Sequence, residues 1–183
     1  RWAITEYRLP ANVLQRELEV FKSLGVTVHT GIRLGKDLAW PELDRFHAVY
    51  LATGAWKQRR LKIAGEERAG VLAGLDYLYQ VRAGQTPKLG AQVAVIGGGN
   101  TAIDAARTAR RKGAAVDVYY DVLLAIPEEV SAARDEGIVF HHQVVPVRFE
   151  EGESSNLKLV LRDLAVPKPD TKEDAPIFWT ETG

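Results

Sequence analysis

Cysteine and methionine are both absent from the 183 residues. Without a thiol, no disulfide, thiolate zinc site, cysteine-ligated iron–sulfur cluster or redox-active cysteine pair can form within them. An excess of one charge is missing too, because 24 Lys and Arg balance 24 Asp and Glu. With no net field to draw it to polyanions, the chain is expected to bind neither nucleic acid nor a membrane surface. No apolar run approaches the roughly 18 residues that a membrane span needs, and no secretory signal opens the chain, so a cytoplasmic location is expected. Position 1 is Arg1 rather than Met, and the chain reads as a piece of a longer protein.

What is present points to an anion. Residues 93–106 read V-A-V-I-G-G-G-N-T-A-I-D-A-A, an apolar run that enters three glycines and leaves along an alanine-rich helical stretch. Gly97, Gly99 and Ala102 fit G-x-G-x-x-G/A, the turn that seats a dinucleotide diphosphate. Gly97 permits the tight turn, Gly99 lets phosphates approach backbone that carries no Cβ, and Ala102 is small enough for helix and strand to pack closely. Free amides and the positive end of the helix would then face the phosphates.

The remaining pattern is that of an α/β protein. A helix follows Pro10, with Leu14, Leu18, Phe21 and Leu24 on one face and Gly25 as its stop. Residues 26–30 alternate as a strand, residues 41–46 suggest a short helix beside a packing Trp40, and residues 48–54 suit a buried parallel strand. Residues 56–70 are a charged connection, in which the 57–60 run is a solvated segment or an anion contact. A short helix spans 74–82 and ends before Gly84. The strand–turn–helix unit runs from 93 to Lys112, and a second strand follows at 115–120. Arg107, Arg110, Arg111 and Lys112 crowd the end of that helix, where they complement its dipole and keep it solvated. Another helix covers 127–136, with Glu128 and Glu129 at its positive end. Strands are expected at 138–140, 144–149 and 157–161, and His141 and His142 between strand segments read as structural rather than metal-binding. The stretch 167–174 is loop-like.

Three segments together carry a resemblance to a known family. E-Y-R-L-P at 6–10, A-V-Y-L-A-T-G-A at 48–55 and V-I-G-G-G-N-T-A-I-D-A-A-R-T-A at 95–109 resemble the glutamate synthase small (beta) chain branch of the pyridine nucleotide–disulfide oxidoreductase superfamily. The resemblance implies a Rossmann-like nucleotide-binding domain with a parallel βαβ core and added antiparallel strands, beside an incomplete flavin-domain portion. The boundaries it implies are 1–56 for the flavin portion, 57–90 for the connection and 91–183 for the nucleotide domain. In that family NAD(P)H passes hydride to FAD, and in this branch electrons continue to iron–sulfur centres on another domain or subunit, such as a glutamate synthase large subunit. By resemblance Thr53, Gly54 and Ala55 approach FAD, while Gly97, Gly98, Gly99, Asn100 and Thr101 hold the NAD or NADP diphosphate. No side chain need act as acid, base or nucleophile.

The departures also carry information. The family's first glycine fingerprint, which lies before E-Y-R-L-P, and its returning strand pattern are not among these residues. The piece alone is therefore expected to hold FAD poorly and, with apolar strand faces uncovered, to self-associate. Where NADPH-using relatives follow the second strand with V-Y-R-R, this sequence has Tyr119, Tyr120, Asp121 and Val122. A carboxylate at Asp121 suits the ribose hydroxyls of NAD and repels a 2′-phosphate. The loop to Pro127 is shorter than the family's, so the choice between NAD and NADP stays open. A non-enzymatic NAD(P)-binding sensor or scaffold is the alternative function.

Overall fold

Alternation decides the centre of the molecule. In the computed structural model, which describes residues 4–57, 59–152 and 156–164, Val116, Val118 and Tyr120 turn inward from one strand while Asp117 and Tyr119 face the other way. Against them lies a helix whose Ile103, Ala106 and Ala109 repeat every third residue and are all buried. Ile103 and Val118 are each 0% exposed. Each contributes about 1.5–3 kcal/mol by leaving water.

The elements around this contact are, in chain order, α1 (Ala11–Ser23), a 3-10 turn (Trp40–Arg45), α2 (Gly74–Arg82), β1 (Gln92–Ile96), α3 (Asn100–Arg111), β2 (Ala115–Tyr120), α4 (Pro127–Asp135), β3 (Val139–His142), β4 (Val144–Glu151) and β5 (Leu157–Asp163). Strands β1, β2 and β3 form a parallel sheet in that order, with Gln92 opposite Ala115 and Asp117 opposite Val139. Parallel neighbours need a crossover, and α3 and α4 supply the two. Tyr77 and Leu78 bring α2 into the same core as α3. Strands β4 and β5 form a separate antiparallel pair, irregular between Pro146 and Arg148, where a proline without an amide is tolerated. The connection 61–66 reaches this pair: Phe149 donates its amide to the Ala64 carbonyl at 2.8 Å. Gly65, at φ +81°, fits beneath the Phe149 carbonyl, which a Cβ would approach to 2.3 Å.

Four expectations need correction. Residues 26–30 and 48–54 form no strand, and Val26, Val28, Val49 and Leu51 are exposed, with Tyr50 92% so. An apolar run becomes a strand only when a neighbour takes up its amides and carbonyls, and no described strand runs beside either segment. The expected helix after Pro10 forms, yet α1 buries none of its residues. His141 and His142 lie within β3 rather than between strands: His141 stacks on Tyr119 and meets Asp117 at 2.7 Å, and His142 stacks on Tyr120. Arg107 is not a solvated dipole partner. It is 7% exposed, ion-paired to Glu129 and 2.7 Å from Glu136. The 167–174 loop lies outside the described residues.

Candidate functional site

β1 ends at Ile96, and three glycines carry the chain into α3. Gly97 has φ +125°, in the region that favours glycine, and donates its amide to the Tyr119 carbonyl at 2.9 Å. A Cβ there would come within 3.5 Å of the Ala102 methyl, an ordinary contact, so the positive φ rather than crowding calls for glycine.

Gly98 is buried, and its requirement is strict. A Cβ would lie 2.1 Å from the Val122 carbonyl oxygen and 3.0 Å from Leu123 Cα, both backbone. The Gly98 carbonyl accepts the amides of Leu124 and Ala125, each at 2.8 Å. The turn is therefore fastened to the segment that follows β2. Asp121, exposed, lies between Tyr119 of β2 and Val122 of that segment, both of which touch the turn.

Gly99 is different. It caps α3 with an extended backbone (φ −89°, ψ 171°) that any residue adopts, and a Cβ there would meet nothing within 4 Å. Its carbonyl receives the amides of Ala102 and Ile103 at 3.0 and 3.2 Å. Among the described residues, the amides of Gly99, Asn100 and Thr101 donate to no protein group. No acidic residue stands in the first turn of α3. Open space, three undonated amides and the positive end of a 12-residue helix together fit a diphosphate.

Asn100 has a second task that its position in the motif does not reveal. Its side-chain oxygen accepts the Ile126 amide at 3.0 Å, tying the start of α4 to the start of α3. The structure thus brings Gly97, Gly98, Gly99, Asn100, Thr101 and Asp121 to one rim.

Thr53, Gly54 and Ala55 are not at that rim. No hydrogen bond or ion pair joins them to the glycine turn among the described residues. They are exposed, and Trp56 folds back to donate its indole N–H to the Thr53 carbonyl at 2.8 Å. The ion pairs of Arg107 also escaped the sequence reading. The available signal was spacing: Arg107 and Arg111 share one helical face, as do Glu129 and Glu136.

Comparison with known proteins decides the family. Residues 42–170 match the family model described as pyridine nucleotide-disulphide oxidoreductase. The chain belongs to that family. Among its relatives, the beta subunit of NADP(+)-dependent formate dehydrogenase from Moorella thermoacetica is 35% identical, over 97% of this chain and 27% of that protein. NADPH-Fe(3+) oxidoreductase subunit beta from Geobacter sulfurreducens is 38% identical, over 79% of this chain and 23% of its own length. The small chain of glutamate synthase (NADPH) from Azospirillum brasilense is 34% identical, over 81% of this chain and 34% of that one. The chain thus spans between about a quarter and a third of the length of these relatives. No helix among the described residues is long and apolar enough to cross a membrane.

Proposed function

We propose that this member of the pyridine nucleotide-disulphide oxidoreductase family supplies the nicotinamide-nucleotide-binding portion of a cytoplasmic, FAD-dependent oxidoreductase. The observation that carries the reading is the row of undonated amides at Gly99, Asn100 and Thr101 beneath open space. Those amides hold the diphosphate, Gly97 and Gly98 let the turn close against β2, and Asp121 faces the adenosine ribose. When bound, the nicotinamide supplies a hydride to FAD. The residues of this chain contribute binding and orientation, the part of such catalysis that proximity provides. Thr53, Gly54 and Ala55 belong to the flavin side in this reading, and they need neighbours from outside the described residues to form a pocket.

The same reading divides the chain at 1–56, 57–90 and 91–183, with α2 of the middle portion contributing to the nucleotide-side core. The names of the three relatives all carry NADP(+) or NADPH, which favours NADP. Asp121, where a cation would suit a 2′-phosphate, favours NAD. Those names also differ in what the enzymes serve, so the terminal acceptor is assigned only by class. It is an iron–sulfur domain or subunit, of which a glutamate synthase large subunit is one form. Two copies of the isolated chain also associate in this account, through the exposed apolar residues of 18–56.

A second reading is a non-catalytic NAD(P) sensor or scaffold, which the same glycine turn would serve. Anaerobic mixing of the full-length gene product with NADPH or NADH separates the two. Bleaching of the flavin absorbance band supports the oxidoreductase. Saturable nucleotide binding to a protein without flavin supports the sensor.

A further inference from the structure

Residues 6–8 lie some ninety positions before the glycine turn, yet they close on the helix that it opens. The Tyr7 hydroxyl donates to Asp104 Oδ1 at 2.8 Å, and Arg8 Nε donates to the same oxygen at 2.6 Å. Asp104 is 7% exposed. Arg8 Nη2 lies 3.5 Å from Glu129 Oε2, so one guanidinium spans α3 and α4. The Tyr7 ring packs under two more cations, with the Arg107 and Arg111 guanidinium carbons 4.4 and 4.1 Å from its centroid. Glu6 pairs with Arg82 of α2.

A partly buried ion network of this kind is weak evidence for stability, because desolvation offsets much of the attraction. Its better attested use is to fix one geometry among several. Here the geometry is that of the nucleotide rim. α4 is held to α3 directly by the ion pairs of Arg107 with Glu129 and Glu136 and of Arg111 with Glu136, and two further ties are added by Asn100 accepting the Ile126 amide and by Arg8 standing between Asp104 and Glu129. Asn100 and Asp104 are four apart on one helix, so the two ties stand one turn from each other on the same face. Between β2 and α4 hangs the segment 121–126, which carries Asp121 and packs against Gly98. Arg8 also neutralises a carboxylate one turn behind the amides that face the phosphates, where a bare negative charge would oppose them.

We infer that Tyr7, Arg8 and Asp104 are positioning residues for nucleotide binding, a strap that pins α4 to α3 and so sets the 121–126 segment over the glycine turn. This rests on the reading of that turn as the diphosphate site. Arginine suits the strap because its extended guanidinium donates from Nε to Asp104 while Nη2 stands 3.5 Å from Glu129 as a charge contact without a hydrogen bond, whereas a lysine ammonium is a point charge.

The test uses the full-length protein and equilibrium titration with NADPH and with NADH, alongside thermal melting. Arg8→Gln and Asp104→Asn each weaken the preferred nucleotide about tenfold, a typical coupling between neighbouring networked groups. KM for that nucleotide rises while kcat holds. Arg8→Lys recovers melting temperature more than it recovers affinity. Affinities of Arg8→Gln and Asp104→Asn within twofold of wild type overturn the strap. Should those variants fail to fold, Tyr7→Phe, which removes only the phenol bond, decides: weaker binding supports the strap and unchanged binding overturns it. A Gly99→Ala control separates the two levels. If it abolishes binding while Arg8→Gln changes nothing, the strap alone fails; if it changes nothing, or wild type binds neither nucleotide, the diphosphate reading fails and the strap with it.

Discussion

Alanine at Gly98 and alanine at Gly99 differ by one position and should fail in opposite ways. At Gly98 the new Cβ would sit 2.1 Å from the Val122 carbonyl oxygen and 2.9 Å from its carbon. Close carbon–oxygen contacts stand at about 3.3–3.6 Å, so the 122–124 backbone must retreat by about 1 Å. Overpacking of this sort costs about 1–3 kcal/mol. The retreat also loosens the Leu124 and Ala125 amides from the Gly98 carbonyl, at about 1 kcal/mol each. The expected loss is thus about 3–5 kcal/mol, which lowers Tm on the order of 10 °C. At Gly99 the Cβ enters open space and the backbone already suits any residue. Reduced chain entropy in the unfolded state offsets the poorer cap, so stability changes by about 1 kcal/mol or less. The methyl would nonetheless occupy the volume the phosphates need. Differential scanning fluorimetry and nucleotide titration of both variants therefore form one experiment. The predicted result is an unstable Gly98→Ala and a stable, non-binding Gly99→Ala. A stable Gly99→Ala with wild-type affinity refutes the placement of the diphosphate, and a Gly98→Ala that melts with wild type refutes the close approach.

Other outcomes follow from single contacts. Asn100→Ala leaves the Ile126 amide without its acceptor and should cost about 1 kcal/mol, with slower-eluting or multiple species absent by size exclusion and a lower denaturation midpoint by circular dichroism. Gly65→Ala combines a Cβ contact of 2.3 Å to the Phe149 carbonyl with a positive φ, and should destabilise by about 2–4 kcal/mol in urea melts. Burial, with Asp104 close by, pushes the Tyr7 phenol up to about 12. Its raised value means that the associated stability is whole below the ordinary tyrosine range near 10 and is lost as pH climbs from about 10 to 12. Tyr7→Phe should flatten that limb of a stability-against-pH curve. Burial opposes ionisation of Glu136, but its hydrogen bonds from Arg107 and Arg111 prevail and hold its carboxyl below the ordinary range. The stability it gives is present above the ordinary glutamate value and disappears as pH falls through the lowered one, a limb that Glu136→Gln should reduce.

Local signals made the nucleotide half legible. Glycines at 97–99 demanded a turn, alternation at 115–120 demanded a half-buried strand, and Pro127 and Gly137 bracketed α4, all by interactions within a few residues. The parallel order of β1, β2 and β3 followed because strands alternated with helices. The 26–30 and 48–54 segments misled for the complementary reason. Val, Tyr and Thr favour an extended chain, but a strand is completed by a neighbour that their own sequence does not contain. The Tyr7–Arg8–Asp104 cluster was invisible because its members are 96 and 97 residues apart. Its charges resembled ordinary surface residues until the fold buried them. Asn100 illustrates a finer limit: the motif marks the residue for the site, whereas the Ile126 amide that its side chain accepts depends on where α4 begins.

The most direct test is a crystal structure of the full-length protein with its preferred nicotinamide nucleotide bound. The expected result is diphosphate oxygens within hydrogen-bonding distance of the amides of Gly99, Asn100 and Thr101, with the adenosine ribose beside Asp121. Nucleotide bound at another surface, with only solvent over Gly99, would contradict it.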